Sequence, residues 1–297
     1  MTKDLQFIHL YCVICHHYNT RLVYDAQRTS NNFLPEFTDE ECITIALWGL
    51  ANGKFTCRHV HKFINDYYPD WFPAMPKYKA FNKRLGYLAD AIKTLANELL
   101  SELWGITPDC VTHLMDSLPI IVAKQSRSSS AKVAPELCNK GYCDSKKMWF
   151  YGVRLHVLGQ SQCKTLPLPK LMQLAPASHH DRKVGEEMLH DVFGIDVFAD
   201  KAYINAQWEA DIKCSNRINI LTPIKLQKGQ KYLASADNLL STAVSKVRQP
   251  IESFFNWIQE LTQIQCASKV RSSNGLISFI FSRIALACLV IANVISV

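Results

Sequence analysis

The sequence predicts an all-α N-terminal region followed by an α/β domain built on a mixed sheet with flanking helices. Three observations carry this. From Met1 to about Thr107 apolar residues recur at helical spacing. Beyond Pro108 the pattern changes to period two and short apolar runs, and after Asp181 helical and strand-like segments alternate. A division into residues 1–107 and 108–297 follows. The 297 residues suffice for two domains, and a 48% hydrophobic content is enough for a sizeable core. With 11 Gly and 12 Pro, collagen-like and low-complexity classes are excluded.

Leu5, Ile8, Cys12 and Cys15, spaced three, four and three, predict the buried stripe of a first helix. Cys12-Val13-Ile14-Cys15-His16 also matches the pattern of covalent haem attachment, and Cys12, Cys15, His16 and His17 could ligate zinc. Haem attachment needs export, yet Met1 to Leu10 carries Asp4 and His9 without a basic flank or cleavable apolar run. Zinc needs a second pair, and Cys57 with His59 and His61 is a poor match, so the apolar stripe is the preferred reading. The eleven Cys form no framework, and cytosolic, reduced thiols are expected.

Thr38 is a good N-cap, and Asp39, Glu40 and Glu41 suit the positive end of a helix dipole. Ile43, Leu47 and Leu50 supply the buried face before Asn52-Gly53 ends that helix. Another runs from about Thr56 to Tyr67 on Val60, Phe63 and Ile64. Pro73 and Pro76 introduce one from Tyr78 to Leu100 on Phe81, Leu85, Leu88, Ile92, Leu95 and Leu99. Such a series is compatible with a helix-turn-helix region. Lys77, Lys79, Lys83 and Arg84 stand without an acid between Asp70 and Asp90, a candidate DNA contact.

In the second domain, Cys110 to Val122 and Met148 to Leu158 read as strands around a polar, basic loop at 124–147. Thr165 to Leu174 reads as an edge strand because of Pro167 and Pro169. A helix over Asp181 to Phe193, a strand over Asp196 to Ala199, a helix over Asn205 to Lys213 and a strand over Ile218 to Ile224 follow. A long helix from about Asn238 to Gln263 closes the series, with Pro250 a candidate kink. The tail from Gly275 to Val297 is nearly all apolar. Arg283 inside it would cost about 2.5–3.5 kcal/mol in a bilayer, so a core helix is expected and no membrane partner.

Three acids stand in costly settings. Asp116 interrupts His113 to Ile121, a run otherwise fit for a buried strand, and Asp200 terminates Val197-Phe198-Ala199. Glu252 follows Arg248 by one turn on a polar stripe with Asn256 and Gln259, beside an apolar stripe of Ile251, Phe254, Phe255, Ile258 and Leu261. Carboxylates without thiolate or imidazole companions suit Mg²⁺ or Mn²⁺, and such a cluster can clamp a phosphoryl transfer. Arg248 would then neutralise a phosphate. Local pairing is the alternative: Asp116 with the Ser117 turn, Asp200 with Lys201, Glu252 with Arg248. The charge distribution agrees with a polyanionic partner. Residues 1–109 carry 11 basic and 12 acidic groups, net −1, whereas 110–297 carry 22 and 14, net +8.

Met115-Asp116-Ser117-Leu118-Pro119-Ile120, Phe150-Tyr151-Gly152-Val153-Arg154-Leu155-His156, Leu174 to Asp181, Phe198-Ala199-Asp200-Lys201-Ala202-Tyr203 and Arg248 to Phe255 occur in that order. Together with Pro76 to Leu85, they resemble a DDE transposase of a bacterial insertion sequence, most like insertion-sequence family 982. Ala202 stands where glycine is common, and Gln249-Pro250 is unusual before the glutamate. The resemblance implies a ribonuclease-H-like mixed sheet flanked by helices, with Asp116, Asp200 and Glu252 as the catalytic, metal-binding triad for Mg²⁺ or Mn²⁺. It implies cleavage of a phosphodiester at the element's end and attack of the freed 3′-hydroxyl on target DNA. Arg248 and Lys201 would contact phosphates beside Lys77, Lys79, Lys83 and Arg84, with Asp181 and Tyr203 as outer supports. Partners would be terminal inverted repeats, target DNA and further copies of the chain, in a bacterial cytoplasm at the nucleoid. The rivals are a stand-alone metal-dependent nuclease, which cuts without joining, and a non-enzymatic DNA-binding regulator using residues 38–100.

Overall fold

The computed structural model describes residues 2–28, 35–106, 110–144, 146–227, 229–230 and 232–297, with Gly105 and Ile106 as backbone. The helices are α1 (Lys3–Thr20), α2 (Asp39–Ala51), α3 (Cys57–Tyr67), α4 (Tyr78–Tyr87), α5 (Ala89–Ile106), α6 (Asp181–Leu189), α7 (Ala206–Asn216), α8 (Ser235–Thr262) and α9 (Ser273–Ile291). The strands are β1 (Thr112–Lys124), β2 (Asn139–Cys143), β3 (Met148–Gln160), β4 (Leu168–Pro176), β5 (Asp196–Phe198) and β6 (Asn219–Leu221). Two compact units result. One comprises Met1–Ile106 with Ile258–Val297, the other Thr107–Trp257. Residues 258–297, which the sequence division kept with the second domain, therefore belong with the helical unit. The reason is α9: its apolar surface packs on α5, α2 and α4.

In the helical unit Thr38 caps α2 through a reciprocal box, its hydroxyl accepting from Glu41 N while Glu41 Oε2 accepts from Thr38 N. Gly53 takes a positive φ of 72° just past α2, where a side chain would be strained. The helix expected over Tyr78–Leu100 is two helices: after Gly86, a weak helix former, Leu88 (ψ 11°) leaves helical backbone. The stripe expected to bury α1 is also corrected. Leu5, Ile8 and Cys12 are exposed and Cys15 half-buried, whereas Phe7, Leu10, Ile14 and His17 face inward. Phe7 decides this, stacking on Trp48 with ring centroids 4.7 Å apart and meeting Tyr68 edge-on. Cys12 and His17 consequently lie on different faces of α1.

Most of α9 is buried, although by length and composition it could cross a membrane. Its Arg283 is buried and donates to the carbonyls of Thr262, Phe279 and Phe55 at 3.0, 2.9 and 2.8 Å while lying over the Phe279 ring. Three carbonyl acceptors account for a charge that an apolar core would otherwise expel.

The second unit is a mixed sheet in the order β2-β3-β1-β5-β6, with β4 also pairing β3. β3 runs antiparallel to β1, β2 and β4, whereas β5 pairs parallel with β1 and β6. β2 lies within the stretch read from sequence as loop. Its polar residues pair with the first half of β3, and only Gly141 and Cys143 point inward, so alternation is faint. Gly141 permits close approach, because a Cβ there would sit 2.2 Å from the Ala177 carbonyl oxygen. At Gly152, opposite the β1 bulge, a Cβ would sit 2.1 Å from that of Ile120. Met115, Leu158, Val184, Leu189, Val197, Tyr203 and Ile218 form the core under α6 and α7.

Candidate functional site

The register of β1 and β5 brings two acids side by side. Leu114 faces Phe198 in the parallel pair. Two residues beyond this pair come Asp116, within β1, and Asp200, just past the end of β5, where its charge acts on Asp116. β5 ends at Phe198, and Asp200 starts the helical turn Lys201–Tyr203, its carbonyl accepting from Tyr203 N at 3.0 Å. This is the strand-end position where open α/β sheets gather ligands.

Helix α8 supplies the third acid. It runs through Pro250 and carries Arg248 and Glu252 one turn apart. Arg248 Nη2 donates to Glu252 Oε1 at 2.7 Å, and Arg248 Nη1 donates to Asp116 Oδ2 at 2.7 Å. The other oxygen of Asp116 accepts from Ser117 N at 2.8 Å. Burial pushes the Asp116 carboxyl up to about 6, and the negative charges of Asp200 and Asp181 push the same way. Arg248 and the Ser117 N–H oppose them. One guanidinium thus holds two carboxylates in a site where like charges crowd.

A second network lies on the opposite sheet face. Ser117 is opposite His156, and Pro119 opposite Arg154. Asp181, the first residue of α6, accepts from Ser117 Oγ at 3.2 Å and from Arg154 Nη1 at 3.2 Å on both oxygens. Arg154 Nη2 donates to the Tyr142 carbonyl at 2.6 Å. His156 is fully buried, with Nε2 at 3.9 Å from Asp181 Oδ1 and Nδ1 at 3.5 Å from the Tyr203 hydroxyl. Burial lowers His156 to about 4, so its ring is neutral at pH 7, and burial keeps the Tyr203 proton in place. Ser117 joins the two faces, its backbone N–H on Asp116 and its hydroxyl on Asp181.

Asp116, Arg248 and Glu252 are thus directly linked, with Asp200 just past the end of β5 and Lys201 exposed beside it. Asp181 and Tyr203 sit on the other face. Lys77, Lys79 and Lys83 are exposed on and before α4, but Arg84 is not a free cation. It forms a bidentate pair with buried Asp39, which also binds Arg28 at 2.6 Å, and donates to the Ala26 carbonyl. This pairing offsets the charge of Asp39, which would otherwise be buried without a partner. Ser117, Arg154 and His156 were not singled out as site residues. The available signal was Arg154 and His156 on alternate positions of an apolar strand.

Among the described residues no group of three or more His, Cys, Asp or Glu is placed to hold a metal ion. The donor chemistry nevertheless fits a hard divalent cation: Asp116, Asp200 and Glu252 offer only oxygens. Arg248 supplies the positive charge between two of them.

A family model described as a Transposase DDE domain matches residues 108–273, more than half of the chain. No curated protein and no solved structure is significantly similar to it.

Proposed function

The chain belongs to the DDE transposase family, and on that premise we propose that it cuts the ends of an insertion sequence and joins them to target DNA in a divalent-metal-dependent reaction. The observation that carries this reading is Asp116 and Glu252 meeting on Arg248, with Asp200 just past the end of the neighbouring strand β5. Asp116, Asp200 and Glu252 would hold Mg²⁺ or Mn²⁺, which polarises the scissile phosphate and the attacking oxygen when bound. Arg248 then turns from the carboxylates to a phosphate oxygen, for which its planar fork is suited. Lys201 adds a second phosphate contact. Asp181, held by Arg154 and Ser117, fixes the backbone that aims Asp116, and Tyr203 anchors the turn that follows Asp200.

Four strands joined by antiparallel pairing (β1–β4), followed by the parallel β5 and β6, support a ribonuclease-H-like sheet, and the motif order supports insertion-sequence family 982. Lys77, Lys79 and Lys83 would contact the terminal repeats, further copies of the chain would hold paired ends, and the reaction would take place at the nucleoid. Asp116→Asn tests the reading: strand cleavage disappears while binding to terminal-repeat DNA persists. Retained Mg²⁺-dependent cleavage removes Asp116 from the chemistry. A labelled 3′-hydroxyl end separates transposition from simple nuclease action, since a nuclease gives no joined product.

A further inference from the structure

The hairpin β2–β3 carries an aromatic and basic surface outside the carboxylate site. Trp149 is 51% exposed, a large apolar ring left open to solvent. Lys140 Nζ stands 4.9 Å from its centroid, and the Tyr142 ring meets it edge-on at 5.2 Å. The strand pairing explains the grouping, since Tyr142 faces Trp149 and Lys140 faces Tyr151. The inward side of the hairpin is apolar: Cys143 and Phe150 pack with Ile121 and Ala177. Lys140, Lys146 and Lys147 are exposed, against the single acid Asp144 between the two strands.

Alternation along β3 puts Trp149 on the same sheet face as Val157, the residue opposite Asp116. Eight residues of strand separate them by about 26 Å. A nucleotide at Trp149 is therefore not the one cut at Asp116 but one that flanks it. A physical link also exists, because Arg154, which holds Asp181, donates to the Tyr142 carbonyl.

Resting on the transposase reading, we propose that this hairpin holds flanking DNA, with Trp149 stacking on an unpaired base and Lys140, Lys146 and Lys147 holding phosphates. An exposed aromatic ring among lysines matches what unpaired nucleic acid presents, a π-face and a charged backbone. A protein partner would have to match three lysines with acids, and it would gain nothing from an unpaired base.

The test is fluorescence anisotropy of the full chain on two labelled duplexes of equal length, one blunt and one with an unpaired tail. Trp149→Ala is expected to weaken the tailed duplex about tenfold and the blunt one less than twofold, whereas Trp149→Phe stays within threefold. Lys140→Gln lowers the salt dependence of binding. Thermal melting checks that Trp149→Ala is folded, as exposure of the ring predicts. Equal affinity of Trp149→Ala and wild type for the tailed duplex overturns the proposal, and so does an equal loss on both duplexes. If the wild type binds neither duplex, the transposase reading itself fails; if it binds both and Trp149→Ala is unchanged, only the hairpin does.

Discussion

Arg248 Nη1 donates to Asp116 Oδ2 at 2.7 Å, joining helix α8 to strand β1 across 132 residues of sequence. The same guanidinium holds Glu252. It is the positive charge that lets these carboxylates coexist, because opposite charge within hydrogen-bond distance favours the ionised form. The chemistry of the site therefore depends on what replaces this contact when DNA and a cation arrive.

Arg248→Met removes the group that lowers the Asp116 carboxyl. Its titration should move further above about 6, and the acidic limb of cleavage efficiency at limiting DNA and cation, which reports the free protein, should rise by about one pH unit. Rate profiles for both proteins check this. Loss of phosphate binding alone would reduce the rate without moving the limb.

Asp116→Asn should stabilise the folded protein at neutral pH. The folded value of Asp116, about 6, lies above its ordinary 3.8. The native state therefore binds that proton more tightly than the unfolded chain, and the charged group costs stability as pH rises from about 4 through 6. Relieving it gains on the order of 1–3 kcal/mol at pH 7, with the gain vanishing near pH 4. Urea unfolding at both pH values measures the difference.

His156 acts in the opposite direction. Its folded value, about 4, lies below the ordinary 6.5, so its contribution is present above 6.5 and is lost as pH falls toward 4. The full loss is on the order of 3 kcal/mol. In the wild type Asp116 offsets much of this. Asp116→Asn should consequently lose stability more steeply than wild type between pH 6.5 and 4, and adding His156→Asn should flatten the curve. Thermal melting across that range decides it.

Arg84→Ala should lower stability by about 2–3 kcal/mol, since it leaves buried Asp39 with Arg28 as its remaining cation. Lys77→Ala, Lys79→Ala and Lys83→Ala should leave stability within about 0.5 kcal/mol. Where such a lysine meets a phosphate, its loss reduces the salt slope of DNA binding by about 0.9. Calorimetric melting and salt titrations separate the two kinds of cation.

How legible each part was depended on whether a local pattern carried it. The cap at Thr38, the strand broken by Asp116 and the carboxylate ending Val197-Phe198-Ala199 are visible because propensity and cost are local. The direction of α1 was not visible, because Leu5, Ile8, Cys12 and Cys15 make as regular a stripe as Phe7, Leu10 and Ile14. Aromatic packing on Trp48, 41 residues away, chose between them. β2 was hidden because its pairing partner, not its own composition, makes it a strand. The role of Arg84 was hidden because charge alone does not say whether a cation meets DNA or a buried Asp39. Among the candidate site residues, Arg248 and Glu252 were legible as neighbours on a helix, but their meeting with Asp116 is a product of tertiary packing.

The most direct measurement is titration of Mn²⁺ into the full chain, followed by the loss of the free-ion electron paramagnetic resonance signal. The triad reading predicts saturable binding by the wild type that weakens at least tenfold in each of Asp116→Asn, Asp200→Asn and Glu252→Gln. Unchanged manganese affinity in all three folded variants would contradict it.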